Sequence, residues 1–221
     1  MVPKKLQTGP EKPAKPVDKR PGKADAYHHG DLRRALMDAA SQQLATGGVD
    51  AVKMNLLASQ LGVSVAAPYR HFATREALLV ELAEQGAQRM GQAMNEAAAQ
   101  CADPLQAQRA RGVAYVRFCV QEPAVFRLLQ RREVIGASSV LQALDMAQRA
   151  AMEPVLGRHH HGQASAEVMQ RSAGMLAAQA LTFGLAHILV DGLLGEVDPD
   201  TAALLAQEVT EVLGVGLAGR E

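Results

Sequence analysis

Apolar residues in this chain recur at helical spacing until a glycine or proline stops them, and nowhere do they alternate as a half-buried strand requires. Leu32, Leu36, Ala40 and Leu44 fall every four residues, with Ala35 and Ala39 beside them, until Gly47-Gly48 ends the run. Such spacing lines one face of a helix with 3.6 residues per turn, and glycine supplies the left-handed backbone that closes one. The pattern predicts a first helix over about 31–46 and a short second over 54–61, carried by Met54, Leu57, Ala58 and Leu61. Gly62 ends the second, with Val63 plugging the turn into the core. Ser64 opens a third over 65–71, and Thr74 caps a fourth that runs through Leu78, Leu82, Met90 and Met94 toward Cys101. Ser and Thr accept hydrogen bonds from the free N–H groups at a helix start, and Glu76 places an acid in the favoured first turn.

The remaining chain repeats this grammar. Asp103-Pro104 reads as an N-cap followed by a first-turn proline and opens a fifth helix to about Gln121, since proline has no N–H to lose there. Pro123 opens a short sixth containing Phe126, residues 138–156 form a seventh, residues 165–193 a long eighth, and Asp198-Pro199 starts a ninth that ends near Leu217. With no strand or hairpin signal, the expected fold is all-α, with about nine helices. It divides into a basic disordered tail (1–26), a three-helix helix-turn-helix domain (27–73) and a helical C-terminal domain (74–221).

Composition agrees. The 48% hydrophobic content rests on Ala, Leu, Val and Met, with four Phe, three Tyr and no Trp, a helix former's inventory. Cys101 and Cys119 have no metal-type spacing and read as small core residues. Residues 172–190 are uncharged and of membrane length, but Gln179, Thr182, His187 and many Ala and Gly suit a buried helix better than a lipid-facing one. No signal peptide pattern is present, and the expectation is a soluble cytoplasmic protein. The zero net charge hides an asymmetry: residues 1–75 carry 12 Lys and Arg against 6 Asp and Glu, and the rest carry 11 against 17. A basic front suits a polyanion, although the tail supplies most of the excess.

LGVSVAAPYRHF (61–72) poses the functional question, because a proline inside a helix removes a hydrogen bond and crowds the carbonyl four residues back. For Pro68 that carbonyl is Ser64's. If Ser64 is the N-cap, its carbonyl lies at the helix mouth and can swing aside. The helix is then short, with Val65, Ala66 and Ala67 exposed at its tip, small enough for close approach in a major groove about 12 Å wide. Tyr69, Arg70, His71 and Arg75 stand where they can reach phosphates, as do the N–H groups at the Thr74-capped mouth. Phe72 reads as core. Two packed helices of a generic bundle are the plain alternative.

YHHGDLRRALMDAA (27–40) followed by LASQLGVSVAAPYRHFATREALL (57–79) resembles the N-terminal DNA-binding region of the tetracycline-repressor (TetR) family, over about residues 27–82. Gly62, Ser64, Tyr69, His71, Phe72 and Thr74 carry the likeness. EPAVFRLL (122–129) and TFGLAHILVDG (182–192) resemble more weakly the C-terminal domain of the subgroup marked by a Trp, a His four residues later and a Gly; here Phe183, His187 and Ile188 hold those places and only the His is kept. The resemblance implies a homodimeric, all-helical transcriptional regulator, usually a repressor, that binds double-stranded DNA at a palindromic operator and is released by a small-molecule effector. It assigns Val65, Ala66 and Ala67 to bases and Tyr69 and His71 to backbone phosphates, with Arg75 at the basic position that opens the fourth helix. Where the family often has Ser or Thr capping the second helix, this chain has Lys53 and Asn55: either Asn55 caps, or Lys53 reaches phosphate.

Ala173, Ala177, Ala180 and Gly184 form a stripe of small residues on the eighth helix that suits close packing against a second copy, with the ninth helix, or within the chain. Met90, Met94, Phe126, Met146, Met175, Phe183 and His187 are the effector-pocket candidates, and a Met-rich interior suits an apolar, irregular molecule. His159, His160 and His161 in a Gly-flanked loop read as solvated and not as a metal site. His28 and His29 have phosphate and structural roles open to them. No catalytic constellation, cofactor motif or metal cluster emerges, so no enzyme is expected. The alternative is a helical small-molecule-binding protein, or an enzyme, that keeps this fold without operator binding.

Overall fold

The computed structural model describes residues 29–146 and 166–218. Among them it is all helical: α1 (His29–Gly47), α2 (Met54–Gln60), α3 (Arg75–Ala99), α4 (Pro104–Gln121), α5 (Pro123–Leu129), α6 (Arg132–Gly136), α7 (139–146), α8 (Ala166–Val190) and α9 (Pro199–Ala218). Two 3-10 turns, Val49–Ala51 and Pro68–Arg70, interrupt the front half. No strand occurs among these residues, only an isolated bridge between Leu193 and Gly195. The tail 1–26, most of the expected seventh helix beyond residue 146, and His159–His161 lie outside the described residues. No described helix is long and apolar enough to cross a membrane.

Local chemistry sets the helix starts. Thr74 Oγ1 accepts from the Ala77 N–H at 3.1 Å, and Asp103 Oδ2 from the Gln106 N–H at 2.8 Å. Asp198 Oδ1 accepts from the N–H groups of Asp200 and Thr201, each at 3.0 Å. With the Thr201 hydroxyl also donating, these bonds hold the Asp198 carboxyl below its ordinary pKa. The unexpected α6 is five residues long, too short for a period to show; burial of Val134 anchors it.

Two apolar clusters hold the molecule together. The first contains Leu36 and Leu44 of α1, Leu57 of α2, Phe72, and Leu78 and Leu82 of α3, and continues through Val125 and Leu128 of α5 to Leu141. The second joins Tyr115, Val116 and Cys119 of α4 to Phe126 of α5, Ala186 and Leu189 of α8, and Ala202 and Ala206 of α9. The short α5 therefore serves both: neighbouring side chains at 125, 126 and 128 enter different clusters.

That placement needs α3 and α5 in close contact, and Gly86 permits it. A Cβ at Gly86 would lie 2.3 Å from Val125 Cγ1, whereas one at Gly91, a turn on, would meet nothing within 4 Å. Gly86→Ala should therefore destabilise the chain by about 1–3 kcal/mol through overpacking. Gly91→Ala should stabilise it by about 0.5–1 kcal/mol through helix propensity. Urea unfolding of the two variants checks the opposite signs.

Candidate nucleic-acid interface

Helix α2 ends in a complete Schellman turn. The Val63 N–H donates to the Ala58 carbonyl at 3.0 Å and the Gly62 N–H to the Ser59 carbonyl at 3.2 Å. Gly62 takes a φ of +66°, the left-handed value this closure demands. The chain is thereby turned sharply before Ser64.

Beyond Ser64 the chain departs from the expected α-helix over 65–71. Residues 65–67 form a turn and Pro68–Arg70 a single 3-10 turn. Proline has no N–H to offer the Ser64 carbonyl, so that carbonyl accepts from Ala67 instead, at 2.9 Å. The shift from an i+4 to an i+3 donor tightens the segment. The Pro68 carbonyl then accepts from both His71 and Phe72, each at 3.0 Å. Ser64 thus contributes its backbone carbonyl to the turn, and the N-cap position of the 3-10 element is Ala67, with no side-chain cap bond. Pro68 is fully buried and Phe72 nearly so; the two side chains pin the turn to the core.

Pinning leaves the opposite side bare. Val65 is 61% exposed and Tyr69 50%. Ser64, Ala66 and Arg70 are exposed, and Ala67 and His71 half-buried. Lys53 and Asn55, at the start of the neighbouring α2, are also exposed. Lys53 occupies the N-cap position of α2 without a side-chain cap bond, and its N–H donates to Gln43 Oε1 at 3.2 Å. Gln43 also donates to Gln60 at 3.2 Å. This glutamine latch between α1 and α2 had no sequence signal, because exposed Gln residues carry no periodicity.

Arg75, expected at phosphate, turns inward. Its Nε donates to the Val52 carbonyl at 2.6 Å and its Nη2 to the Val49 carbonyl at 2.5 Å, while Nη1 lies 3.8 Å from Glu76. It staples the approach to α2 onto the start of α3. A second tie crosses the same region: Arg33 pairs through both guanidinium nitrogens with the Glu81 carboxylate and lies 5.0 Å from the Phe72 ring centroid. Arg75→Ala should cost about 1–3 kcal/mol by stripping two backbone carbonyls of a charged donor. Arg75→Lys should recover less than half, because an ammonium lacks the rigid two-pronged fork; thermal unfolding of the two variants measures both.

The effector candidates separate. The Phe126 ring meets His187 edge-on at 4.9 Å, Phe183 tilts against Tyr115 at 4.8 Å, and Met90 and Met94 flank the second cluster. Met146 is 67% exposed on α7 and does not join them; the Met175 side chain lies outside the described residues. Tyr115, which no periodicity singled out, packs among them. Two surface clefts lie elsewhere. One of about 430 Å³ is lined by Gln106, Arg109, Val113, Gln207 and Glu211. The other, of about 940 Å³, is lined by Arg33, Glu81, Gln88, Gln92, Val140 and Leu144. Among the described residues no three His, Cys, Asp or Glu side chains group to hold a metal.

On α8, Ala180 and Gly184 are exposed, Ala177 is half-buried, and the Ala173 side chain lies outside the described residues. A Cβ at Gly184 would meet nothing within 4 Å. Ile188, and Leu204 and Val212 of α9, are exposed as well.

Residues 36–82 match the sequence profile of the bacterial regulatory proteins of the tetR family, in its N-terminal domain. Solved structures share the fold along nearly their whole length. A protein of unknown function from Rhodococcus sp. RHA1 is 28% identical, with 85% of this chain and 97% of that one aligned and a TM-score of 0.59. The TetR family transcriptional regulator PfmR from Thermus thermophilus is 20% identical over 80% of this chain and 96% of its own, with a TM-score of 0.52. A TetR-like transcriptional regulator from Rhodococcus sp. RHA1 is 18% identical over 86% and 97%, with a TM-score of 0.56. No curated protein matches the chain. The profile thus covers the front of the chain, residues 36–82, and the likeness to these solved structures is one of fold.

Proposed function

We propose that this chain is a cytoplasmic, ligand-responsive transcriptional regulator, a repressor that binds a palindromic operator as a homodimer and leaves it when a small molecule occupies the C-terminal domain. The observation that carries the reading is the outward face of the 64–70 turn, bare and with small side chains at Ser64 and Ala66, mounted on buried Pro68 and Phe72. Val65 and Ala66 are the base-facing pair. Neither side chain can donate a hydrogen bond, so side-chain discrimination rests on thymine methyl groups and groove shape. Tyr69, Arg70, His71 and Lys53 contact phosphates, with Ser64, Asn55 and Ala67 beside them. Arg75 acts from inside by holding the segment before α2 against the start of α3.

In this reading residues 27–73 form the DNA-binding domain, and 74–221 bind effector and dimerise. The uncovered apolar face of α8 and α9 supports a second copy as its cover. A pair is also what the geometry of a palindrome demands, since two recognition elements must lie about 34–36 Å apart to meet successive turns of major groove. The likeness of residues 182–192 to the Trp-His-Gly subgroup belongs here too, resting on His187 and its contact with Phe126.

Selection of bound sequences from a random duplex pool tests the proposal. An inverted repeat should emerge, and its affinity should fall steeply between about 50 and 200 mM salt as counterions return. Tyr69→Phe and Arg70→Ala should each weaken binding by about 1 kcal/mol on specific and unrelated sequences alike. A pool with no inverted repeat and no salt dependence would leave a helical small-molecule-binding protein in place of the regulator.

A further inference from the structure

Tyr115 is 6% exposed, and its hydroxyl makes no hydrogen bond of ordinary length and angle to a described residue; the Cys119 thiol offers it a weak contact at most. Its ring lies among apolar groups: Phe183 of α8 tilted against it, with Val116, Cys119, Phe126 and Leu189 in the same cluster and Met90 and Met94 on its flank. A phenylalanine would fill this position without leaving a polar atom stranded, and a stranded hydroxyl loses its hydrogen bonds to water with nothing in return. The Cys119 thiol, one helical turn on, is a neighbour but a poor partner, since sulfur donates and accepts weakly.

Burial, reinforced by the neighbouring Cys119, pushes the Tyr115 phenol above its ordinary range, and burial pushes the Cys119 thiol up to about 12. Both therefore stay neutral near pH 7, and the phenol keeps its proton to donate. No described member of the cluster is a Lys or Arg, so an anionic ligand would bring an unbalanced charge into a dry site. A neutral oxygen acceptor suits the hydroxyl, and unbranched Met90 and Met94 can re-pack around an irregular body.

We propose that the Tyr115 hydroxyl is the polar anchor of a small-molecule site in the apolar cluster between α3, α4 and α8, and that the site takes an uncharged, mostly apolar compound through a carbonyl-type oxygen. The proposal deepens the effector reading above and rests on it. The ligand's body packs on Phe183 and Phe126, and its oxygen completes the one polar group that the described residues leave open there.

Matched probes test the anchor on the full-length protein. Acetophenone against ethylbenzene, and 2-nonanone against nonane, differ chiefly in one acceptor oxygen. Isothermal titration should show at least one ketone binding the wild type about tenfold more tightly than its hydrocarbon, the worth of one well-made hydrogen bond. Tyr115→Phe removes a single oxygen; its urea midpoint should equal or exceed that of the wild type, and the ketone preference should shrink to near unity. Equal binding of ketone and hydrocarbon by the wild type overturns the anchor, as does a preference that survives Tyr115→Phe, or failure of all four probes to bind. Operator affinity measured in the same samples separates the two readings. Ketone binding through Tyr115 that leaves DNA affinity unchanged upholds the site and removes its effector role. A compound that releases DNA equally from wild type and Tyr115→Phe upholds the regulator and removes the anchor.

Discussion

Pro68 lacks an N–H and carries a ring that the core buries completely, and the front of the molecule is arranged around those two facts. The missing donor makes the Ser64 carbonyl turn to Ala67, which winds the segment into a 3-10 turn. The buried ring then decides which way that turn faces. With Pro68 and Phe72 inward, Val65, Ala66, Tyr69 and Arg70 have nowhere to go but outward. A regular α-helix here would distribute its side chains about every 100° and keep its N–H groups in an i+4 ladder. The tighter winding changes which residues share the outer face.

Rigidity of this face comes from behind it. Arg75 and Arg33 each reach from one element to another, the first to main-chain carbonyls before α2, the second from α1 to Glu81 on α3 and over Phe72. The Arg33–Glu81 pair is half exposed, so its energy is small, of order 1 kcal/mol or less. Its value is geometric, because a two-pronged pair fixes orientation as well as distance. The first apolar cluster runs without a break from Leu36 to Leu141, so the front helices share their core with α3 and α5. Through α5 that core touches the second cluster, where Phe126 lies with Tyr115 and Cys119. A shift of α5 would be felt in both clusters. Close packing transmits such shifts because neither cluster can deform by degrees.

Most helix boundaries were legible in the sequence. Pro104 and Pro123 open α4 and α5, Thr74 and Asp103 cap α3 and α4 through their side chains, and Gly62 closes α2. Each of these is settled by groups within four or five residues of one another. The outward Val65 and Tyr69 could be read in the same way, from small or amphipathic residues beside a proline. Other features could not. The five residues of α6 carry too little pattern, the Arg75 guanidinium could as well have faced a phosphate, and Tyr115 looked like any other core aromatic.

By itself, then, the sequence determined where most helices start and stop and that a helix-turn-helix region stands at the front, because caps, glycine turns and apolar periods act over short stretches of chain. Tertiary structure decided which way the 64–70 segment faces, because the core buries the Pro68 ring. It also decided that Arg75 bonds carbonyls 23 and 26 residues away, and that the Tyr115 hydroxyl is enclosed by α8 without a hydrogen bond of ordinary length and angle to a described residue. These depend on which surfaces meet in space, and a donor's choice between a distant carbonyl, solvent and a ligand is settled only when the neighbouring helices have excluded water from it.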